Sequence, residues 1–245
     1  MHDEEPKPKT EWWQDVKAAG PHARTPAPAS SGGIEPPPFA VRDPYPRRYD
    51  MVVLGATGFT GRYVLMEMAM STVGQRWAAA GRNKSKVKEV VDELGLVDVD
   101  VLQADIQDRA ALVALCKETV VLLNCTGPFR FLGAAVVEAC LTGGCHYVDI
   151  TGEPEFMLRS QLSFDERARD RMLLVVHACG FDSVPADEGA RFAAEQLEAG
   201  GGACATVESV LALRAGRAGL AVHATTLECA VHGFAAAGEL RALRA

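Results

Sequence analysis

Three glycines, Gly55, Gly58 and Gly61, stand three residues apart behind an apolar run, Met51 to Leu54. That pattern suits the binding of a phosphate. A backbone without side chains can approach an anion closely, and its N–H groups can point at it. Gly55 lets the chain turn sharply, Gly58 lets a pyrophosphate come near, and Gly61 removes a side chain where a helix meets a sheet. Ala56, Thr57, Phe59 and Thr60 complete the loop. Val64, Leu65, Met68 and Ala69 then recur on one helical face. Strand, tight turn and helix form the first half of a dinucleotide-binding βαβ unit, with the anion at the positive end of the helix. The spacing is G-x-x-G-x-x-G, so the strand before it and the helix after it carry the assignment. A glycine-rich turn that binds nothing is the competing reading.

The next chemistry lies about 20 residues on, where an NAD-selecting site keeps an acidic residue for the ribose 2′-hydroxyl. This chain has Arg82 there, followed by Asn83, Lys84 and Lys86. A guanidinium cannot accept a bond from a hydroxyl but can pair with a 2′-phosphate. NADP is therefore expected over NAD, against the alternative of a solvated charge cluster opening a helix. Asp105, past a third strand, either faces the adenine or caps the next helix. Asn124 and the turn at Gly127-Pro128 follow a fully apolar fourth strand and would border the nicotinamide half.

Near the later strand ends stand Cys125, Tyr147, Asp149, Glu153, His177, Cys179, Asp182 and Ser183. Hydride transfer needs orientation and a proton from the protein. His177 has a suitable range for that proton, against the reading of a hydrogen-bonded core histidine. Tyr147 could protonate an enolate or alkoxide, or simply pack its ring. The two aspartates could instead hold loops through backbone N–H groups. Cys125 and Cys179 lack a flanking Lys or paired His, which favours buried structural thiols. Tyr147 and Asp182 are the residues taken as catalytic. No lysine follows Lys117. That excludes a lysine acid or base beyond the fourth strand, and with it a Tyr-x-x-x-Lys pair.

The elements that must position these groups follow from hydrophobic period. Strands are expected at 77–80, 98–103, 120–123, 146–150 and 173–176, alternating with helices at 85–95, 110–116, 132–141, 163–171 and 186–197. Val87, Val90, Val91 and Leu94 form the inner face of one helix, and Ala135, Val136 and Ala139 that of another. Gly143-Gly144 stops the latter. Six strands alternating with helices make a doubly wound α/β domain over residues 49–199. After Gly200 to Gly202, Thr206 to Leu213 alternates like the first strand of something new, and Leu227 to Phe234 reads as helix. One strand and one helix cannot close a core, so 203–245 reads as the start of a truncated second domain. An exposed apolar face there would favour self-association, with a homodimer as the expected form.

Bulk numbers narrow the class. The 245 residues are 48% hydrophobic with net charge −7, which argues against nucleic acid as the main partner. Seven cysteines contain no C-x-x-C pair, which fits a reducing, intracellular, cytoplasmic setting, and no Cys/His set has metal-ligand spacing. Residues 1–48 hold ten of the thirteen prolines and should be a disordered tail, in which Trp12 and Trp13 are either a docking motif or loosely held.

GATGFTGR, AGRN, LNCTGPF, YVDITGEPEF and GFDSVPADEG, in that order, resemble the saccharopine dehydrogenase-like oxidoreductases from about Tyr49 onward. VESVLALRAG and GLAVHATTLECAVHGF resemble the segment that follows there. The resemblance implies an N-terminal Rossmann domain binding NADP and a second α/β domain that finishes the active site. It also implies an apolar stretch linked to lipid droplets and membranes, with lipid-droplet, mitochondrial or membrane-associated relatives. Mycobacterial relatives act as trans-acting enoyl reductases in lipid synthesis. A lipid-like carbonyl or enoyl substrate is thus expected. The alternative is a non-catalytic NADP(H)-binding module or an inactive truncated isoform.

Overall fold

Alternating apolar strands and amphipathic helices assemble into one parallel sheet in a computed structural model of the chain. The structure describes residues 47–71, 75–212, 214 and 223–244, all within a single unit, Arg42–Ala245. The expected tail and its Trp12-Trp13 pair lie outside the described residues, apart from 47 and 48.

The strands are β1 (Tyr49–Leu54), β2 (Trp77–Gly81), β3 (Asp100–Gln103), β4 (Thr119–Asn124), β5 (His146–Asp149) and β6 (Val175–Val176). Between and after them run α1 (Phe59–Ser71), α2 (Lys84–Glu93), α3 (Arg109–Lys117), α4 (Phe129–Gly143), α5 (Pro154–Asp170) and α6 (Val184–Ala199). The sheet order is β3-β2-β1-β4-β5-β6, all parallel. This is the doubly wound Rossmann-type arrangement. Its order reverses between β1 and β4, so the crevice at their carboxyl ends is the place for a ligand.

Burial explains the layering. Val52, Leu54, Leu122 and Tyr147 face one core with α3, α4 and α5, and Val53, Ala79 and Trp77 face the other with α1 and α2. Central strands buried on both sides read as continuous apolar runs, which is why β4 stood out in the sequence. Val87, Val90 and Val91 are buried as expected, as are Leu65 and Met68. Ala69 and Ala135, expected to face inward, are exposed; Gly61 on α1 and Val137 on α4 take inward positions instead. α4 ends at Gly144, whose φ of +76° closes the helix with a bond to the Cys140 carbonyl.

Two differences bear on the site. α5 begins at Pro154, nine residues before the expected start at Ser163, because proline at the first helical turn and Glu155 behind it favour initiation there. Residues 206–212 of the expected further strand join no ladder of the sheet, and Val210 is 92% exposed; Leu213 lies outside the described residues. Beyond them come α7 (Ala224–Ala235) and α8 (Ala237–Arg244). Neither these two helices nor α6 bury a residue. Among the described residues no helix is long and apolar enough to cross a membrane.

Candidate functional site

The carboxyl ends of β1 and β4 bring the glycine loop and the Asn124 loop together. Gly55 turns with φ of +89°, a conformation that favours glycine, and a Cβ there would lie 2.8 Å from Thr126 Cγ2. Its N–H and that of Ala56 donate to the Ala80 carbonyl at 3.0 and 3.1 Å. A Cβ on Gly61 would stand 2.2 Å from the Gly55 carbonyl oxygen, so helix and loop touch only because that side chain is missing. At Gly58 the same atom would be 3.2 Å away. Thr57, Phe59 and Thr60 are exposed along this loop. The first N–H groups of α1 have no intrahelical acceptors, as at any helix start, and they crown this cradle. The N–H groups of Gly55, Ala56 and Gly58 are taken by backbone carbonyls, so a pyrophosphate would rest on the first-turn N–H groups of α1 and its positive end.

The other residues expected at the cofactor lie at or just past the carboxyl ends of β2, β3 and β4. Arg82 is exposed directly after β2, near the crevice edge. Asn83 caps α2, its side chain accepting from Lys86 N at 3.0 Å. Asp105 accepts from Gln107 N at 3.0 Å, and Asp108 rather than Asp105 caps α3. Both carboxamide and carboxylate are thus partly committed to the backbone. Asn124 is fully buried and accepts from Thr126 N at 3.0 Å. Gly127 faces Thr225 at the start of α7, and Phe59 stacks on His223 with ring centroids 4.9 Å apart. The segment around 223–225 therefore touches both rims of the crevice.

A buried polar chain runs from the carboxyl end of β4 to α5. Asn124 Nδ2 donates to Tyr147 Oη at 3.1 Å, and Tyr147 donates to Asp149 Oδ2 at 2.8 Å. The same oxygen lies 2.7 Å from His177 Nδ1, and His177 Nε2 lies 2.8 Å from Ser160 Oγ. Asp149 Oδ1 accepts from Thr151 N and Ala178 N, each at 3.0 Å. Burial, then the charge of Asp149, holds the Tyr147 phenol well above its usual range. Tyr147 is fully buried, with its hydroxyl bonded to Asn124 and Asp149. Asp182 is exposed on the 177–183 loop near Gly152. Burial and Asp149 raise Cys125 to about 12 and push Cys179 up, which keeps both as thiols at neutral pH.

Glu153, named among the residues near the later strand ends, is bound into the fold. Its carboxylate accepts from Phe129 N at 2.7 Å and Arg130 N at 3.3 Å, and pairs with Arg130 Nε at 2.9 Å. It thereby caps α4, whose N-terminal Pro128 offers no side-chain bond. Cys229 Sγ donates to it at 3.4 Å, and Arg130 Nη1 donates to the His232 carbonyl at 3.1 Å. Sequence reasoning also passed over Ser160 and Arg130. Nothing in their local pattern marks them, because their partners lie 17 to 102 residues away.

Comparison with known proteins agrees with this geometry. A profile of the saccharopine dehydrogenase NADP binding domain matches residues 51–176. A human saccharopine dehydrogenase-like oxidoreductase is 36% identical over 212 residues, covering 81% of this chain and 49% of its own. A lipid droplet localized protein of Caenorhabditis elegans is 35% identical over 207 residues, covering 80% and 48%. The chain spans about half the length of the curated relatives it matches. Saccharopine dehydrogenase (L-Glu forming) of Saccharomyces cerevisiae shares the fold with a TM-score of 0.52 at 14% identity, over 62% of this chain and 32% of that one. The chain belongs to the saccharopine dehydrogenase-like oxidoreductase family and carries its NADP-binding domain.

Proposed function

We propose that this chain supplies the cofactor half of an oxidoreductase acting on an apolar, lipid-like carbonyl or enoyl substrate. The supporting observation is the cradle made by Gly55, Gly58 and Gly61 at the start of α1. The backbone from Gly55 to Gly61 takes the pyrophosphate. Arg82 pairs with the 2′-phosphate, Asn83 and Asp105 flank the adenosine half, and Asn124 with Gly127-Pro128 lines the nicotinamide end. When bound, NADPH supplies the hydride. The chain's own residues orient the acceptor and manage a proton. Asp182 stands on the exposed loop, while Asp149, set by Tyr147, holds His177. The lipid character of the substrate rests on the family resemblance and on the lipid-droplet name of one relative.

The test is NADPH titration followed by its oxidation in the presence of enoyl and carbonyl lipids. Saturable binding with oxidation of at least one lipid supports the reading. Binding with no oxidation across the panel favours a non-catalytic cofactor-binding module, and no binding removes both.

A further inference from the structure

The hydrogen-bonded chain beneath the cleft does not end in the core. Ser160, which touches His177 Nε2, also lines a cavity of about 240 Å³ between α4 and α5. Arg130, Glu155, Phe156, Arg159 and Ser163 form much of the remaining wall. Arg159 and Ser163 are exposed, so the cavity opens to solvent on the helix face.

The order of donors fixes the histidine's tautomer. Asp149 is fully buried and takes bonds from Tyr147, Thr151 and Ala178, so it acts as an acceptor toward Nδ1. A neutral imidazole that donates from Nδ1 must accept at Nε2, and the available donor there is Ser160 Oγ–H. The backbone is bent to keep this arrangement. Ala178 has φ of +59°, a left-handed conformation uncommon for alanine, and the Asp149 side chain and carbonyl hold it from both sides through Ala178 N and Cys179 N. Phe156 and Tyr147 pack edge-on against the imidazole, leaving the His177 side chain 13% exposed.

We propose that Ser160 makes the α4–α5 cavity the proton port of His177. The imidazole is then charged and discharged from behind, through the serine hydroxyl, and not through the crevice. Ser160 Oγ gives its proton to Nε2 as it takes one from solvent in the cavity. Nδ1–H stays on Asp149, so one proton moves from solvent onto the ring and no other bond changes. The reverse transfer returns it. The other charged or titratable groups near this path are Tyr147 and Asp149 on β5, Glu155 and Arg159 on α5, Arg130 on α4 and Cys179 on the loop. Such a port would let His177 be reprotonated while the crevice is filled. Its role as a proton store for reduction rests on the cofactor reading above; the port itself does not.

The test follows the proton that comes and goes at His177 Nε2 by nuclear magnetic resonance, as nitrogen-15 relaxation dispersion on histidine-labelled protein. Its exchange with solvent is measured in the apo protein and at saturating NADPH. Ser160→Ala should slow exchange about tenfold, the equivalent of one lost hydrogen bond. Ser163→Trp, which narrows the mouth from an exposed position, should also slow it, and Ser160→Thr should restore it. Saturating NADPH should leave the rate within about twofold, well under a tenfold effect. Exchange that is indifferent to both Ser160→Ala and Ser163→Trp overturns the port. So does exchange slowed by NADPH and untouched by Ser163→Trp. Failure of NADPH to bind would instead overturn the cofactor reading, while the apo measurements would still decide the port.

Discussion

At the scale of single residues, side chains removed matter as much as those present. The glycine loop was legible in the sequence because its constraint is local. Gly55 needs a positive φ, and Gly61 needs its Cβ gone to clear a carbonyl six residues back. Arg82 could be named as a candidate for the same reason, by its distance from that loop. Replacing it by glutamate puts a carboxylate where a 2′-phosphate would lie. Arg82→Glu is therefore expected to lower the NADPH-over-NADH affinity ratio by at least about tenfold, measured by parallel fluorescence titrations. An unchanged ratio would return Arg82 to the solvated surface. The polar chain from Asn124 to Ser160 was not legible. Tyr147, Asp149 and His177 could be named as candidates, but which one met solvent and which one was sealed depended on contacts across β5, β6 and α5.

At the scale of elements, strand and helix order followed from hydrophobic period, and the errors fell where tertiary partners decide. The helix after β5 was placed late because GEPEF reads as a turn until Glu153 is seen capping α4 from outside it. The alternation in 206–212 looked like a strand, but alternation makes a strand only beside a sheet edge. Glu153 is the joint between these elements, since it ties the N-terminus of α4, Arg130 and α7 together at 2% side-chain exposure. Glu153→Gln keeps the shape but leaves Arg130 with Glu155 alone as its charge partner and weakens the cap. A loss of about 1–3 kcal/mol in unfolding free energy is expected from urea denaturation. A loss under about 0.5 kcal/mol, the range of an ordinary surface substitution, would show that the joint contributes little.

At the scale of the whole molecule, charge and cofactor set the behaviour. Asp50 is held low by Arg76, Asp100 by the Tyr49 hydroxyl, Glu138 by Arg167 and Glu155 by Arg159. Their ordinary values are 3.8 for aspartate and 4.5 for glutamate. The folded chain therefore favours their charged forms. That stabilisation is complete above those values and disappears as pH falls through the lowered ones. Urea midpoints should begin to fall below about pH 6.5, where burial disfavours the charged form of His146, and decline further below about pH 4.5. A midpoint that holds down to pH 3 would contradict this. On the alkaline side, burial and then the bond to Asp100 raise Tyr49 from 10.0 to about 12, so its contribution is present below 10 and lost toward 12. The account's central claim is that a dinucleotide rests on the amino end of α1. Calorimetric titration of NADPH into the wild type and Gly58→Leu tests it most directly, with thermal melting alongside to show that the variant folds. The account predicts a saturable heat in the wild type and, in a folded variant, binding at least about tenfold weaker. Equal heats and equal affinity in the two proteins would contradict it.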